Sequence, residues 1–173
     1  MRHTIMAAIA AVGIAALAQP ASAQTASPEI PAALNPDHLA VYLEVPATGV
    51  QIYVCGKNPA GAWAWNFKAP EAALSDTKMK PLGKHYAGPS WEGLDGGKVM
   101  GAVKANMPAP AAGAIPWLLL DIKSREGTGA FTDAKAIVRL NTSGGAAPGP
   151  GCDEAHAGSE SRVPYTATYL FLK

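Results

Sequence analysis

From His38 onward, apolar and polar positions alternate in short runs bounded by glycine and proline, the pattern of half-buried strands. Val50, Ile52 and Val54 share one face, with Gln51, Tyr53 and Cys55 on the other. Trp63, Trp65 and Phe67 oppose Ala64, Asn66 and Lys68 in the same way. Near the end of the chain, Tyr165, Ala167, Tyr169 and Phe171 oppose Thr166, Thr168, Leu170 and Leu172. These runs predict strands over 39–45, 49–55, 62–68, 98–104, 115–123, 134–141 and 165–172. The run IPWLLL at 115–120 is apolar on both faces and belongs in the middle of a core, with Pro116 at its entry because proline cannot donate a ladder hydrogen bond. Helix signals are thin. Only 70–75 (PEAALS) joins a proline start to helix formers, for one or two turns. Fifteen prolines and eighteen glycines argue the same way. The expected fold is all-β, a single-domain antiparallel β-sandwich or small barrel of about seven to nine strands with little helix.

Before that domain come two segments of different character. Residues 1–23 read as a signal peptide: Arg2 and His3 form a basic start, 5–17 is an alanine-rich apolar run, and Ala21-Ser22-Ala23 is a small-x-small cleavage pattern. The apolar run falls well short of the roughly 20 residues a spanning helix needs, so no membrane span is expected. Residues 24–37 (QTASPEIPAALNPD) read as a Pro/Ala-rich lead-in from which Ile30 and Leu34 can dock on the domain, and 38–173 as one β domain. The expected location is periplasmic or secreted.

Composition narrows the function classes. With Arg2 removed, Lys+Arg balance the 13 Asp+Glu, and no basic run stands out, which argues against a nucleic-acid partner. Two cysteines, Cys55 and Cys152, lie far apart with no C-x-x-C or haem signature; in an oxidising compartment the simplest reading is one disulfide. It would pin the glycine-rich stretch 143–161 (SGGAAPGPGCDEAHAGSES) to the end of the Cys55 strand.

Candidate chemistry concentrates in 85–97 (HYAGPSWEGLDGG), which reads as a segment between strands, where sites are often mounted. His85, Tyr86, Trp91, Glu92 and Asp95 are the candidate ligand-binding residues. A catalytic version uses His85 as general base, Ser90 as nucleophile and Glu92 or Asp95 as orienting carboxylate. Against it, G-P-S-W-E misses the G-x-S-x-G elbow, because Glu92 stands where the second glycine belongs. A structural turn therefore outweighs catalysis. Calcium is similarly disfavoured, since it takes six to eight oxygens and only two carboxylates are offered. His38, His85 and His156 show no transition-metal spacing. The Trp63, Trp65, Phe67 stripe is read as core in preference to a sugar platform, because large aromatics usually build cores.

The ordered set of short motifs is more specific than any one of them. It comprises GVQIYVC at 49–55, WNF at 65–67, HYAGPSWE at 85–92, IPWLLL at 115–120, NTSGG at 141–145, Cys152 and VPYTA at 163–167. In this order it resembles a secreted bacterial and fungal family known as domain of unknown function three-four-five-five, over nearly the whole length from Leu39 to Leu172. The resemblance implies no activity, substrate or catalytic set. Some fungal members carry a malate dehydrogenase label, yet no G-x-G-x-x-G follows a strand here to hold NAD, so no cofactor is expected. The leading expectation is a non-enzymatic exported β-sandwich binding a small molecule, carbohydrate or envelope component around residues 85–95, with the 143–161 loop as a further contributor. A hydrolase using His85 with Glu92 or Asp95 is the alternative, and a structural or protein-interaction domain the third.

Overall fold

The computed structural model describes residues 28–36 and 38–173; the leader expected over 1–23 and the first part of the lead-in lie outside the described residues. Eight antiparallel strands follow one another in chain order and close into a barrel: β1 (Val41–Lys57), β2 (Trp63–Ser75), β3 (Pro81–Tyr86), β4 (Ser90–Gly93), β5 (Lys98–Met107), β6 (Trp117–Glu126), β7 (Ala136–Gly144) and β8 (Glu160–Leu172). The all-β expectation holds, and of the two architectures the closed barrel is the one formed, so the β-sandwich of the leading functional expectation is corrected. Closure rests on β1, which is long enough to pair with β2 on one side and with β8 on the other.

That strand joins two runs that Pro46 and Gly49 divide in the sequence. Gly49 is the residue that lets it continue. A Cβ there would lie 2.1 Å from the Glu71 carbonyl oxygen and 2.5 Å from the Ala72 Cα, so only glycine allows β1 and β2 to approach so closely. The short helix expected at 70–75 is instead the second half of β2. Ala72 and Leu74 are buried while Glu71 and Ala73 are exposed, a period of two that sheet packing imposes over local helix propensity. The segment expected to be a loop at 85–97 is largely the β3–β4 hairpin and the turn that follows.

Alternation sends one set of side chains into the barrel. Val45, Leu74, Trp91, Val99, Ile137 and Phe171 are among the residues that fill it. One end is closed by the β6–β7 loop, whose Phe131 is fully buried and stacks on Phe171 at 4.7 Å between ring centroids. The outward faces of β6, β7 and β8 are also apolar (Leu119, Val138, Leu140, Leu170), and Leu34 from the lead-in covers them at zero exposure. This explains why IPWLLL is apolar on both sides: Leu118 and Leu120 face inward and Leu119 faces the docked lead-in. Elsewhere the outer surface carries ion pairs such as Lys84–Glu92, Lys98–Glu126 and Lys104–Asp121. Apolar inside and charged outside is the reverse of a lipid-embedded barrel. No helix among the described residues is long and apolar enough to cross a membrane.

Cys55 and Cys152 form a disulfide that ties the β7–β8 loop to the end of β1. Paired backbone bonds reinforce the same junction, Cys55 N–H to the Ser159 carbonyl and Gly158 N–H to the Cys55 carbonyl, both at 2.9 Å.

Candidate functional site

The wall of the barrel is uneven. β3 and β4 are short, and β2 pairs with β3 only from Ala72 onward, while β5 pairs with β4 only through Met100. Above that low hairpin, 63–71 of β2 and 101–107 of β5 have no strand beside them on this side among the described residues. A cavity of about 360 Å³ occupies the barrel interior here, lined from all eight strands and from the β3–β4 and β5–β6 connections. Phe67 and Val103, more than half exposed, stand on the two sides of the gap and form an apolar rim.

Within the cavity the walls are mostly apolar, Trp91, Leu118, Leu120 and Ile115 among them, with a polar cluster on one side. Gln51, Tyr53, His85, Arg139 and Tyr169 make up that cluster. Tyr53 donates to the Gly145 carbonyl at 2.6 Å, and the Tyr165 and Tyr169 hydroxyls stand 3.5 Å apart. Arg139 lies opposite Tyr169 in the β7–β8 ladder, hence on the same inner face, and its Nε and Nη2 donate to the Pro116 carbonyl at 3.1 and 2.8 Å. Burial pushes the phenols of Tyr53, Tyr165 and Tyr169 up, so all three stay protonated, with the Arg139 charge opposing the rise. Behind this wall, Trp91 Nε1 is buried with no hydrogen-bond partner among the described residues, and Gln51 Nε2 is buried beside the Tyr165 hydroxyl without a bond of good geometry. Buried unpaired donors are uncommon, because each forfeits about 1–3 kcal/mol of hydration.

The five candidate residues of the 85–97 segment separate across the sheet. His85 and Trp91 are cross-strand partners facing inward, stacked at 4.5 Å between centroids. Tyr86 and Glu92 face outward, where Tyr86 donates to Glu92 Oε2 at 2.6 Å and Lys84 pairs with Glu92 Oε1 at 3.1 Å. Those partners hold the Glu92 carboxyl below its ordinary range, the Tyr86 hydrogen bond contributing most. Asp95 does a third job. Its carboxylate accepts from Gly97 N–H at 3.1 Å and from Ala130 N–H at 2.7 Å, which latches the loop that carries Phe131. His85 and Trp91 thus reach the cavity together, and the other three do not join them. For Tyr86 and Glu92 the reason is periodicity, since neighbours along a strand occupy opposite faces, and Asp95 lies in the turn after β4.

The acid–base arrangement considered for His85 is likewise absent from the described residues. Its Nδ1 lies 2.8 Å from the Ser90 backbone carbonyl, not the hydroxyl, and no carboxylate reaches it. A carbonyl can only accept, so Nδ1 carries the ring proton and Nε2 is the bare acceptor. Burial pulls the His85 pKa down to about 3, the Arg139 charge acts in the same direction, and the Ser90 bond opposes them. Between its ordinary value of 6.5 and about 3, the unfolded chain binds a proton that the folded protein refuses. Stability therefore falls as pH falls through that window, by about 1 kcal/mol per unit. The lowered carboxyls of Glu92, Asp95, Asp153 and Glu160 add acid losses only near and below the usual carboxylate range. Chemical unfolding between about pH 6.5 and 5 thus isolates the histidine. Wild type should lose stability there and His85→Gln should lose markedly less; equal slopes would show that His85 is not the group responsible.

Two expectations about aromatics also change. The Trp63, Trp65, Phe67 stripe is not core: none of the three is fully buried, Trp65 Nε1 donates to the Pro150 carbonyl at 3.4 Å, Lys57 sits over Trp63, and Phe67 rims the cavity. The site residue that sequence reading missed is Arg139. Its run, AIVRLN, looks like an ordinary strand with one solvated charge, and only the inward placement of Ile137 and Tyr169 reveals its side. No metal-sized cluster of three His, Cys, Asp or Glu gathers among the described residues.

Comparison with known proteins adds the family and nothing about chemistry. No curated protein and no solved structure matches the chain. One family model, described as a protein of unknown function (DUF3455), matches residues 36–173, which is the barrel and the end of its lead-in, and the chain belongs to that family.

Proposed function

We propose that this protein is an exported binding module that holds a small, largely apolar molecule inside its barrel. The observation that carries the reading is a cavity of about 360 Å³ inside the barrel, mostly apolar, with Gln51, Tyr53, His85, Arg139 and Tyr169 on one side and an opening between Phe67 and Val103. Small-molecule sites are apolar concavities of roughly 300–1,000 Å³ with a few placed polar groups, and the mouths of barrels are common places for them. Binding is favoured over catalysis because the His85 imidazole is committed to a backbone carbonyl and has no carboxylate to orient it. Export is supported by the leader read in residues 1–23 and by the disulfide, a bond that persists in oxidising compartments such as the periplasm or the extracellular space.

The test is mass spectrometry of small molecules retained by protein purified without denaturation from its native compartment, beside a Leu118→Trp variant. Leu118 lines the cavity and is only half-buried, so the larger side chain can fill the space with modest strain. Wild type should retain a compound that the filled barrel loses. Equal retention by both, with the variant folded, would place the ligand elsewhere and end this reading.

A further inference from the structure

We infer that the barrel selects a monocarboxylate, its hydrocarbon part in the apolar cavity and its carboxylate on Arg139. The inference rests on the binding reading above and adds the chemical class of the ligand. Its basis is the charge inventory of the lining. Two cations, Lys68 and Arg139, and no acidic residue are found there among the described residues. Lys68 is already paired with Glu160 outside. Arg139 forms none of the ion pairs among the described residues; its guanidinium donates to the Pro116 carbonyl and lies beside the Tyr169 hydroxyl, neither of which carries a charge.

The groups around Arg139 are neutral as well. His85 stays uncharged at any physiological pH, and Tyr53, Tyr165 and Tyr169 keep their protons. A half-exposed guanidinium on a mostly apolar wall with no counter-charge attracts an anion more strongly than a charge surrounded by water does. The Pro116 carbonyl holds the fork in one orientation, the condition under which arginine recognises a carboxylate with paired N–H bonds. The rest of the polar side adds neutral groups, from Gln51, Tyr53, His85 and Tyr169, and no anion. A negatively charged head complements such a wall, whereas an amine would set a second cation beside Arg139.

Isothermal titration of the folded, disulfide-bonded protein tests this with matched probes. Octanoate and trans-cinnamate, a straight-chain and an aromatic acid, are compared with octanamide and cinnamamide. Wild type should bind at least one acid tenfold or more tightly than its amide, and added salt should narrow that gap. Arg139→Gln should abolish the preference, bringing each acid to the affinity of its amide, and Arg139→Lys should restore part of it. The acid-to-amide ratio in wild type needs no variant, so a poorly folding Arg139→Gln does not spoil the test. Whichever acid binds tells an acyl chain from an aromatic ring as the fitting hydrocarbon. Equal affinity for acid and amide would overturn the carboxylate inference and leave the binding reading standing. Failure of all four to bind at millimolar concentration would overturn the inference, and the binding reading would fall separately if the filled Leu118→Trp barrel retained the native compound.

Discussion

Replacing Cys55 and Cys152 together by serine is expected to lower the free energy of unfolding by about 4 kcal/mol. The bond joins positions 97 residues apart, so it removes much of the freedom of the unfolded chain, and the chain-entropy contribution for a loop of that size is about 4–5 kcal/mol. The Cys55–Ser159 and Gly158–Cys55 backbone bonds keep the junction partly formed without sulfur, so the variant should remain folded in mild conditions. Urea unfolding followed by tryptophan fluorescence, with and without reductant, measures the difference. Reduced wild type should match the double variant. A loss under about 1 kcal/mol would mean the loop holds its place unaided and the unfolded chain gains little from release.

Trp91→Ala should cost about 3–5 kcal/mol, whereas Trp91→Phe should cost little. Trp91 is 1% exposed and packs on His85, Tyr169 and Phe171, with ring centroids 4.5, 5.3 and 6.4 Å away. Truncation to alanine empties the floor of the cavity and forfeits those contacts. Phenylalanine keeps most of the packing and deletes an N–H that has no partner, whose burial is a burden of about 1–3 kcal/mol. The two variants therefore separate packing from recognition. If Trp91→Phe is near neutral in stability yet weakens retention of the native ligand, the indole N–H serves the ligand. If it is as destabilising as Trp91→Ala, the indole is held by the fold for shape alone.

Much of the barrel can be read along the chain. The alternations over 49–55, 63–67 and 165–172 fall in β1, β2 and β8, Pro116 stands just before β6, and the two cysteines pair as their even number suggests. Local rules failed where tertiary packing outweighed them. Pro70–Ser75 joins a strand because Ala72 and Leu74 have an interior to fill. Trp63 and Trp65 stay near the surface because the upper half of β2 runs beside the gap above β3 and β4.

Within the candidate site, His85 and Trp91 were visible as residue types suited to a pocket, and Arg139 was not. A period of two sorts side chains into two faces but carries no label saying which face looks inward. Residues such as Leu119 and Leu170, apolar yet outside the barrel, make the faces of β6–β8 equivalent to a reader of the chain alone.

Alternation, turn residues and cysteine parity suffice to specify strands, their number within a narrow range, and the single staple between Cys55 and Cys152. Whether those strands close, and which of their residues meet in the lumen, depends on register and relative strand length. Those are properties of pairing between distant segments, set by where β1 meets β8 and by how early the β3–β4 hairpin stops. The cavity and its lone guanidinium exist only once that pairing is made.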